Sequence, residues 1–323
     1  MRVLLAVLLL AGRAAAAPAV RAVDAIGVTV GDLGRSVAFY TTLLGFERVS
    51  ESDIGGAALE RLRGVFPLHA HVATLRLGDE HLQLTEYVAQ RGRPLPTDSR
   101  SNDRWFQHVA IVVSDMDRAY QRLHDAHVEQ ISSGPQRLPD WNPDAGGIRA
   151  FYFRDPDGHP LELIWFPPGK GDPRWQRPGD RLFLGIDHTA IGVADTAASL
   201  RFYRDRLGFR VAGTSENWGP EQARLSAVSG AHVRITGLRA DAGPGVELLE
   251  YLSPRDGRPR PGGVHANDLV HWQIEMVTGD PSTVGPPRAT CADTPERPLG
   301  FTHACLIADP DGHAVELVDR SIR

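Results

Sequence analysis

Asp309-Pro310-Asp311-Gly312-His313-Ala314-Val315-Glu316 reads as a tight turn running into an apolar strand. Asp-Pro-Asp-Gly is turn chemistry, because Pro presets the backbone at the second position and Gly accepts conformations other residues avoid. In the strand that follows, Glu316 stands between Val315 and Leu317, where burial is expected. A buried carboxylate is costly unless something positive meets it, and we read Glu316 as a metal ligand. The same device occurs earlier, at Asp155-Pro156-Asp157-Gly158-His159-Pro160-Leu161-Glu162.

Working outward, the chain repeats itself. Ser36-Val37-Ala38-Phe39-Tyr40-Thr41-Thr42-Leu43-Leu44-Gly45-Phe46 returns 163 residues later as Ser199-Leu200-Arg201-Phe202-Tyr203-Arg204-Asp205-Arg206-Leu207-Gly208-Phe209. His108 and His271 keep that offset, and Gln83 and Glu247 are 164 apart. Elements held their order while loops drifted, as in a duplicated domain. Each half looks double again, giving four units of order β-α-β-β-β. Helical spacing and a following glycine predict helices over Asp32–Leu44 and Asp195–Leu207, with a third over Asp115–His124. The fourth helix region, Thr278–Pro298, is rich in Pro and Gly and predicts a short helix or none. The Pro/Gly-rich stretch 168–184 reads as a linker between an N-terminal domain, 22–167, and a C-terminal domain, 185–320.

The chain has 323 residues, 42% hydrophobic and 23% charged, with formal net charge -5. That composition suits two folded domains, and without a basic run nucleic acid is a poor partner. Thirteen histidines against two cysteines favour His/carboxylate chemistry. Residues 1–17 have the basic start, short apolar run and small-residue end of a secretory signal peptide. The run falls short of the roughly 20 residues a spanning helix needs. The expectation is therefore a secreted or periplasmic protein without stable membrane insertion. In that setting Cys291 and Cys305 form one bridge or stay free.

The paired βαβββ units, the Phe-Tyr-x-x-x-Leu-Gly-Phe helix ends at Phe39–Phe46 and Phe202–Phe209, and the two Asp-Pro-Asp-Gly-x-x-x-Glu stretches resemble the vicinal-oxygen-chelate superfamily. That group includes glyoxalase I, extradiol dioxygenases, methylmalonyl-CoA epimerase, and fosfomycin and bleomycin resistance proteins. The resemblance implies an α+β fold of four modules paired into two domains, each a curved mixed sheet forming a cup with helices outside. It also implies ligands on the first and last strands of paired modules.

Strand alternation makes the same point independently. His188, Glu247, His271 and Glu316 each lie opposite the helix-packing face of their strand, so we expect all four to converge in the cup of the C-terminal domain. Two imidazoles and carboxylates suit Fe(II) first, with Mn(II), Ni(II), Co(II) or Zn(II) as alternatives. Open positions would chelate a small molecule with two adjacent oxygens. Glu250 replaces Glu247 if the register slips. In the first half, Ala25 and Gln83 occupy the places of His188 and Glu247. His108 and Glu162 remain, as a degenerate half or as a second site. His303 is the general acid/base candidate beside Glu316, Gln273 and Tyr251 are lining candidates, and Asn217-Trp218-Gly219-Pro220 a candidate cover.

The leading functional expectation is an extradiol-type dioxygenase acting on a catechol-like diol with His188, His271 and Glu316. One departure is Leu306, where those enzymes carry a tyrosine three residues before the Asp-Pro turn. The first alternative is a glyoxalase- or epimerase-like lyase or isomerase using all four ligands. The second is a bleomycin-resistance-like binding protein, which needs no metal. Whether Glu247 reaches the metal separates the two enzyme readings. The chain is expected to be a monomer or a homodimer.

Overall fold

The computed structural model describes residues 19–177, 179–285, 289–294 and 299–320. The expected leader, 1–17, lies outside the described residues. Sixteen strands form four groups of four. Module one holds β1 (Val20–Thr29), β2 (Glu47–Gly55), β3 (His69–Leu77) and β4 (Glu80–Tyr87). Module two holds β5 (Gln107–Val113), β6 (Gln136–Arg137), β7 (Arg149–Arg154) and β8 (Pro160–Trp165). Module three holds β9 (Phe183–Gly192), β10 (Arg210–Trp218), β11 (His232–Arg239) and β12 (Gly245–Ser253). Module four holds β13 (Trp272–Thr278), β14 (Thr290–Asp293), β15 (His303–Ala308) and β16 (Ala314–Val318).

The modules pair crosswise. One sheet runs β14-β15-β16-β13-β1-β4-β3-β2 and the other β10-β11-β12-β9-β5-β8-β7-β6. Modules one and four thus build the first cup, and modules two and three the second. In both, the opening strands of two modules meet antiparallel at the centre, β1 on β13 and β5 on β9. Inside each module the fourth strand lies parallel to the first, so a crossover carrying the helix must join them.

Four helices open on an aspartate that accepts from backbone N–H groups: Asp32, Asp115, Asp195 and Asp280. Such caps satisfy donors the first turn leaves free. The helices expected from Asp32, Asp115 and Asp195 are α1 (Leu33–Ala38) and, after α2 (Ala57–Arg63), α3 (Met116–Asp125) and α4 (Thr196–Leu200). Both α1 and α4 run on into wide, π-type turns over Phe39–Leu43 and Arg201–Arg206. Gly45 and Gly208 then take φ of 74° and 87°, as the capping argument requires. After α5 (Pro220–Ser226) comes the weak fourth helix of the sequence, a single turn, α6 (Pro281–Val284).

Although the sheets cross between halves, each helix-side core is built mainly from one half, with β9 adding Phe183 and Ile186 to the first and β1 adding Val20 and Val23 to the second. One core packs Tyr40, Leu44, Met116, Leu123 and Phe151 from modules one and two, and another packs Tyr203, Leu207, Ile307 and Val315 from three and four. The repeated motifs rivet these cores. Tyr40 Oη donates to Asp155 Oδ2 at 3.1 Å, and Tyr203 Oη to Asp309 Oδ2 at 3.2 Å. The first turn aspartate thus holds its own loop and the tyrosine of the preceding module. Cys291 and Cys305, directly opposite on β14 and β15, form a disulfide. Among the described residues no helix is long and apolar enough to cross a membrane.

The two concave faces differ. In the first cup Leu59, Leu62, Leu68, Tyr87, Leu299 and Phe301 pack together and fill it. The second keeps an open cleft of about 460 Å³.

Candidate metal centre

The second cup gathers His108, Glu162, His188 and Glu247. Their placement follows from strand register. His108 on β5 lies opposite Ala190 on β9, and Glu247 on β12 lies against Ala190 from the other side. Glu162 on β8 and His188 on β9 flank Ala110 on β5 in the same way. Two rows, His108–Ala190–Glu247 and Glu162–Ala110–His188, therefore cross the floor of the cup, related by a local two-fold. The alanines leave the room that the four longer side chains share.

His108 Nε2 stands 3.0 Å from Glu162 Oε2. His188 Nε2 stands 3.5 Å from Glu162 Oε2 and 3.4 Å from Glu247 Oε2. His108, Glu162 and His188 are buried, with ligand atoms all within 4.8 Å of one another. Glu247 joins them through His188 and is 24% exposed, toward the cleft. Neither His108 Nε2 nor His188 Nε2 has a well-formed hydrogen bond, buried though both are. Unpartnered buried nitrogens facing two carboxylates fit a divalent cation of borderline softness.

A support shell fixes His188. Its Nδ1 meets Asp187 Oδ2 at 2.9 Å. Asp187 in turn accepts from Arg239 Nη2 and, on its other oxygen, from Trp175 Nε1, each at 2.9 Å. A carboxylate on Nδ1 sets the tautomer that leaves Nε2 to bind a metal. Trp175 comes from the segment between the halves that the sequence reads as a linker. Burial opposes ionisation of Asp187, but the His188, Arg239 and Trp175 partners outweigh it and hold the carboxyl well below its usual range. Burial likewise opposes charge on His188, yet Glu247, Asp187 and Glu162 hold its imidazole well above the usual value in the metal-free protein. Tyr152, directly across from Glu162 on β7, places its ring 4.9 Å from that of His108. Burial and the neighbouring Glu162 keep its phenol protonated.

The structure splits the expected quartet. His188 and Glu247 are in the second cup, whereas His271 and Glu316 are in the first. The expected partition into a complete C-terminal site and a degenerate first half is thereby corrected: crossing of the modules joins His108 and Glu162 to His188 and Glu247. His271 is also not the counterpart of His108. In the first cup Ile274 and Glu275 take the register places of Val109 and Ala110, so Gln273 stands where His108 does. The four positions there are Ala25, Gln83, Gln273 and Glu316.

Glu316 has its positive partner, but that partner is Arg63 from the end of α2. Arg63 Nη2 lies 2.9 Å from Glu316 Oε1 and 3.0 Å from Oε2. Gln273 Nε2 donates to Glu316 Oε2 at 2.9 Å, and Arg63 Nη1 donates to Gln273 Oε1. A guanidinium thus neutralises the carboxylate where the other cup offers imidazoles. His271, buried beside Arg260 and Arg63, is pushed down to about 3 and stays neutral. His303 is remote from the second cup. On β15 it meets Asp293 through Nδ1 at 2.7 Å, and its backbone N–H donates to Asp319, so the acid/base role is not supported by position. Glu250 faces α4, accepting from Thr196 Oγ1 at 2.8 Å, which leaves Glu247 as the cup residue. Trp218 does not cover the cleft from above; it stacks on Trp141 at 4.0 Å, both rings exposed beside the cleft-lining Asn217. Gln273 belongs to the Arg63 network. Tyr251 packs with Phe106 and Tyr152.

Comparisons with known proteins agree with this architecture. The model of the Glyoxalase/Bleomycin resistance protein/Dioxygenase superfamily matches residues 22–163 and 185–317. The chain therefore belongs to that superfamily, the vicinal-oxygen-chelate group. It is 36% identical over 157 residues to a 2-epi-5-epi-valiolone epimerase of an Actinomyces species, covering 47% of this chain and 83% of that protein. It is 25% identical over 201 residues to glyoxalase I of Saccharomyces cerevisiae, covering 58% of this chain and 57% of that protein. The structure of glyoxalase I from Zea mays superposes with a TM-score of 0.58 at 18% identity, over 93% of this chain and 92% of that one.

Proposed function

We propose that the chain is a divalent-metal-dependent enzyme of the epimerase or lyase kind, acting at a carbon beside a carbonyl of a small polar molecule. The observation that carries this reading is the convergence of four donors, His108, Glu162, His188 and Glu247, with Glu247 3.4 Å from His188. Four ligands favour isomerase-type chemistry over a three-ligand oxygenase, and the curated relatives named above are an epimerase and a glyoxalase.

A bound divalent ion would polarise the substrate carbonyl as a Lewis acid. The protein's own groups do the rest. The local two-fold puts one carboxylate at each end of the cluster, Glu162 deep and Glu247 at the cleft. A proton can then be taken from one face of a carbon and returned to the other, as inversion requires. Tyr152 keeps its proton and donates a hydrogen bond toward a substrate oxygen. Ile148, Ile164, Phe166 and Leu225 line the cleft together with Thr214 and Asn217, which suits a ligand with apolar and hydroxylated parts. The compound in that relative's name, 2-epi-5-epi-valiolone, is the first to test.

The test is metal analysis followed by deuterium exchange from solvent into 2-epi-5-epi-valiolone, read by NMR. Loading Fe(II), Mn(II), Co(II), Ni(II) and Zn(II) in turn identifies the ion. His108→Ala should abolish exchange and remove the ion held in the second cup, whereas His271→Ala should leave both intact. Purified protein that retains none of these ions sinks the proposal. One observation favours the dioxygenase as a second reading: Tyr152 stands three residues before Asp155, the tyrosine position that Leu306 leaves vacant in module four. Oxygen uptake with catechols under ferrous loading would replace the epimerase reading with that one. Export through residues 1–17 is part of the proposal, and N-terminal sequencing of the exported protein tests it.

A further inference from the structure

On the convex side of module one, three strands bring a second set of donors together. His69 and His71 are two apart on β3 and so face the same way, with ring centroids 5.3 Å apart. Asp53 on β2 lies directly opposite His71, and Glu86 on β4 lies opposite it on the other side. Asp53 pairs with His71 Nδ1. Ligand atoms of Asp53, His69 and His71 all lie within 4.8 Å of one another. The side chains of His71 and Asp53 are 37% and 74% exposed, so solvent reaches the cluster.

The duplication supplies an internal comparison. In module three the same places hold Glu216, His232, Arg234 and Glu250, in the same register: Arg234 lies opposite Glu216 on one side and Glu250 on the other. There Arg234 Nε donates to Glu216 Oε1 at 3.1 Å and Nη1 to Glu250 Oε2 at 3.3 Å, while His232 Nε2 meets Glu216 Oε2 at 2.9 Å. The guanidinium supplies the cation, and the carboxylates are satisfied. Module one has a second imidazole in that place. An imidazole at His71 offers a lone pair where an arginine offers only donors.

We propose that Asp53, His69 and His71 form a separate surface site for a divalent transition-metal ion such as Zn(II) or Ni(II). Two imidazoles and a carboxylate are the donor set such ions take, with a remaining position for water. The ion would tie β2, the edge strand of its sheet among the described residues, to β3.

The experiment is zinc stoichiometry of the full chain by equilibrium dialysis, with zinc as the only added ligand. His71→Arg installs the module-three arrangement on an exposed position. It should lower the stoichiometry by one ion per chain, and His69→Ala should do the same. His232→Ala, the control, should change nothing. The result is independent of the cup, because the cup's ion is present or absent in all of these proteins alike. A double variant, His108→Ala with His188→Ala, should still bind one zinc, and adding His71→Arg should remove it. If His71→Arg and His69→Ala keep the wild-type stoichiometry, the site does not exist.

Discussion

Asp187 and Arg63 make opposite use of charge. Asp187 lines the cleft beside His188, whose Nδ1 it holds at 2.9 Å. Replacing it with Asn keeps the shape but allows the amide to turn and the imidazole to bind through the wrong nitrogen. We expect Asp187→Asn to weaken metal affinity by about 10–100-fold, read by chelator competition, with a nearly unchanged thermal midpoint. A large loss of stability with unaltered affinity would mean Asp187 only packs. Arg63 stands in the other cup, nearly fully buried on Glu316. Removing one member of a buried pair leaves the other charge stranded and costs about 3–5 kcal/mol. Arg63→Met should lose that much in urea unfolding, and adding Glu316→Gln should restore most of it. If the double variant is as unstable as the single, the pair's charge is not what matters.

Among the elements, the helices and most strands could be read directly from spacing, caps and glycines. The helix starts at Asp32, Asp115 and Asp195, the two left-handed glycines and the poor fourth helix all fall where the sequence places them. The candidate site could be read only in part. Strand alternation correctly put His188 and Glu247 on a concave face, but alternation says nothing about which strand lies beside which. The crossing of modules depends on β1 meeting β13 and β5 meeting β9, contacts between distant residues that no local pattern carries. The misassigned His271 is a different error. Matching His108 to His271 used an offset of 163, whereas the helix caps Asp115 and Asp280 that follow these strands are 165 apart. That cap spacing places Gln273 opposite the role of His108, and it was available in the sequence. The disulfide tests the element scale. It ties the short edge strand β14 to β15 across a separation of 14 residues, and closing a loop of that size is worth about 3 kcal/mol. Cys291→Ser with Cys305→Ser should lose roughly this amount in urea unfolding, with metal binding in the second cup unchanged. An equal stability would show that strand pairing alone holds the edge.

At the scale of the whole molecule, crossing the modules concentrates the ligand set in one cup and leaves charge to be balanced inside the other. Around the closed cup the buried carboxyls Asp24, Glu275 and Glu316 meet two guanidiniums among the described residues, Arg63 and Arg320. Arg320 lies 2.9 Å from Asp24 and 3.1 Å from Glu275, and Arg63 is taken by Glu316. Three buried carboxyls cannot all ionise against two cations without leaving one uncompensated. Glu275 is the one that keeps its proton: burial, then the neighbouring Glu316 and Asp24, outweigh Arg320 and push it up to about 8. Its value in the unfolded chain is about 4.3. Between those limits the folded protein holds a proton that the unfolded chain has lost, so stability from this group is fully present below the lower value and declines as pH rises through the upper one. Urea unfolding of the metal-free protein between pH 5.5 and 8 should therefore show a fall in stability with rising pH that Glu275→Gln flattens, because the amide is neutral throughout. A slope left intact in Glu275→Gln would assign the titration to another group.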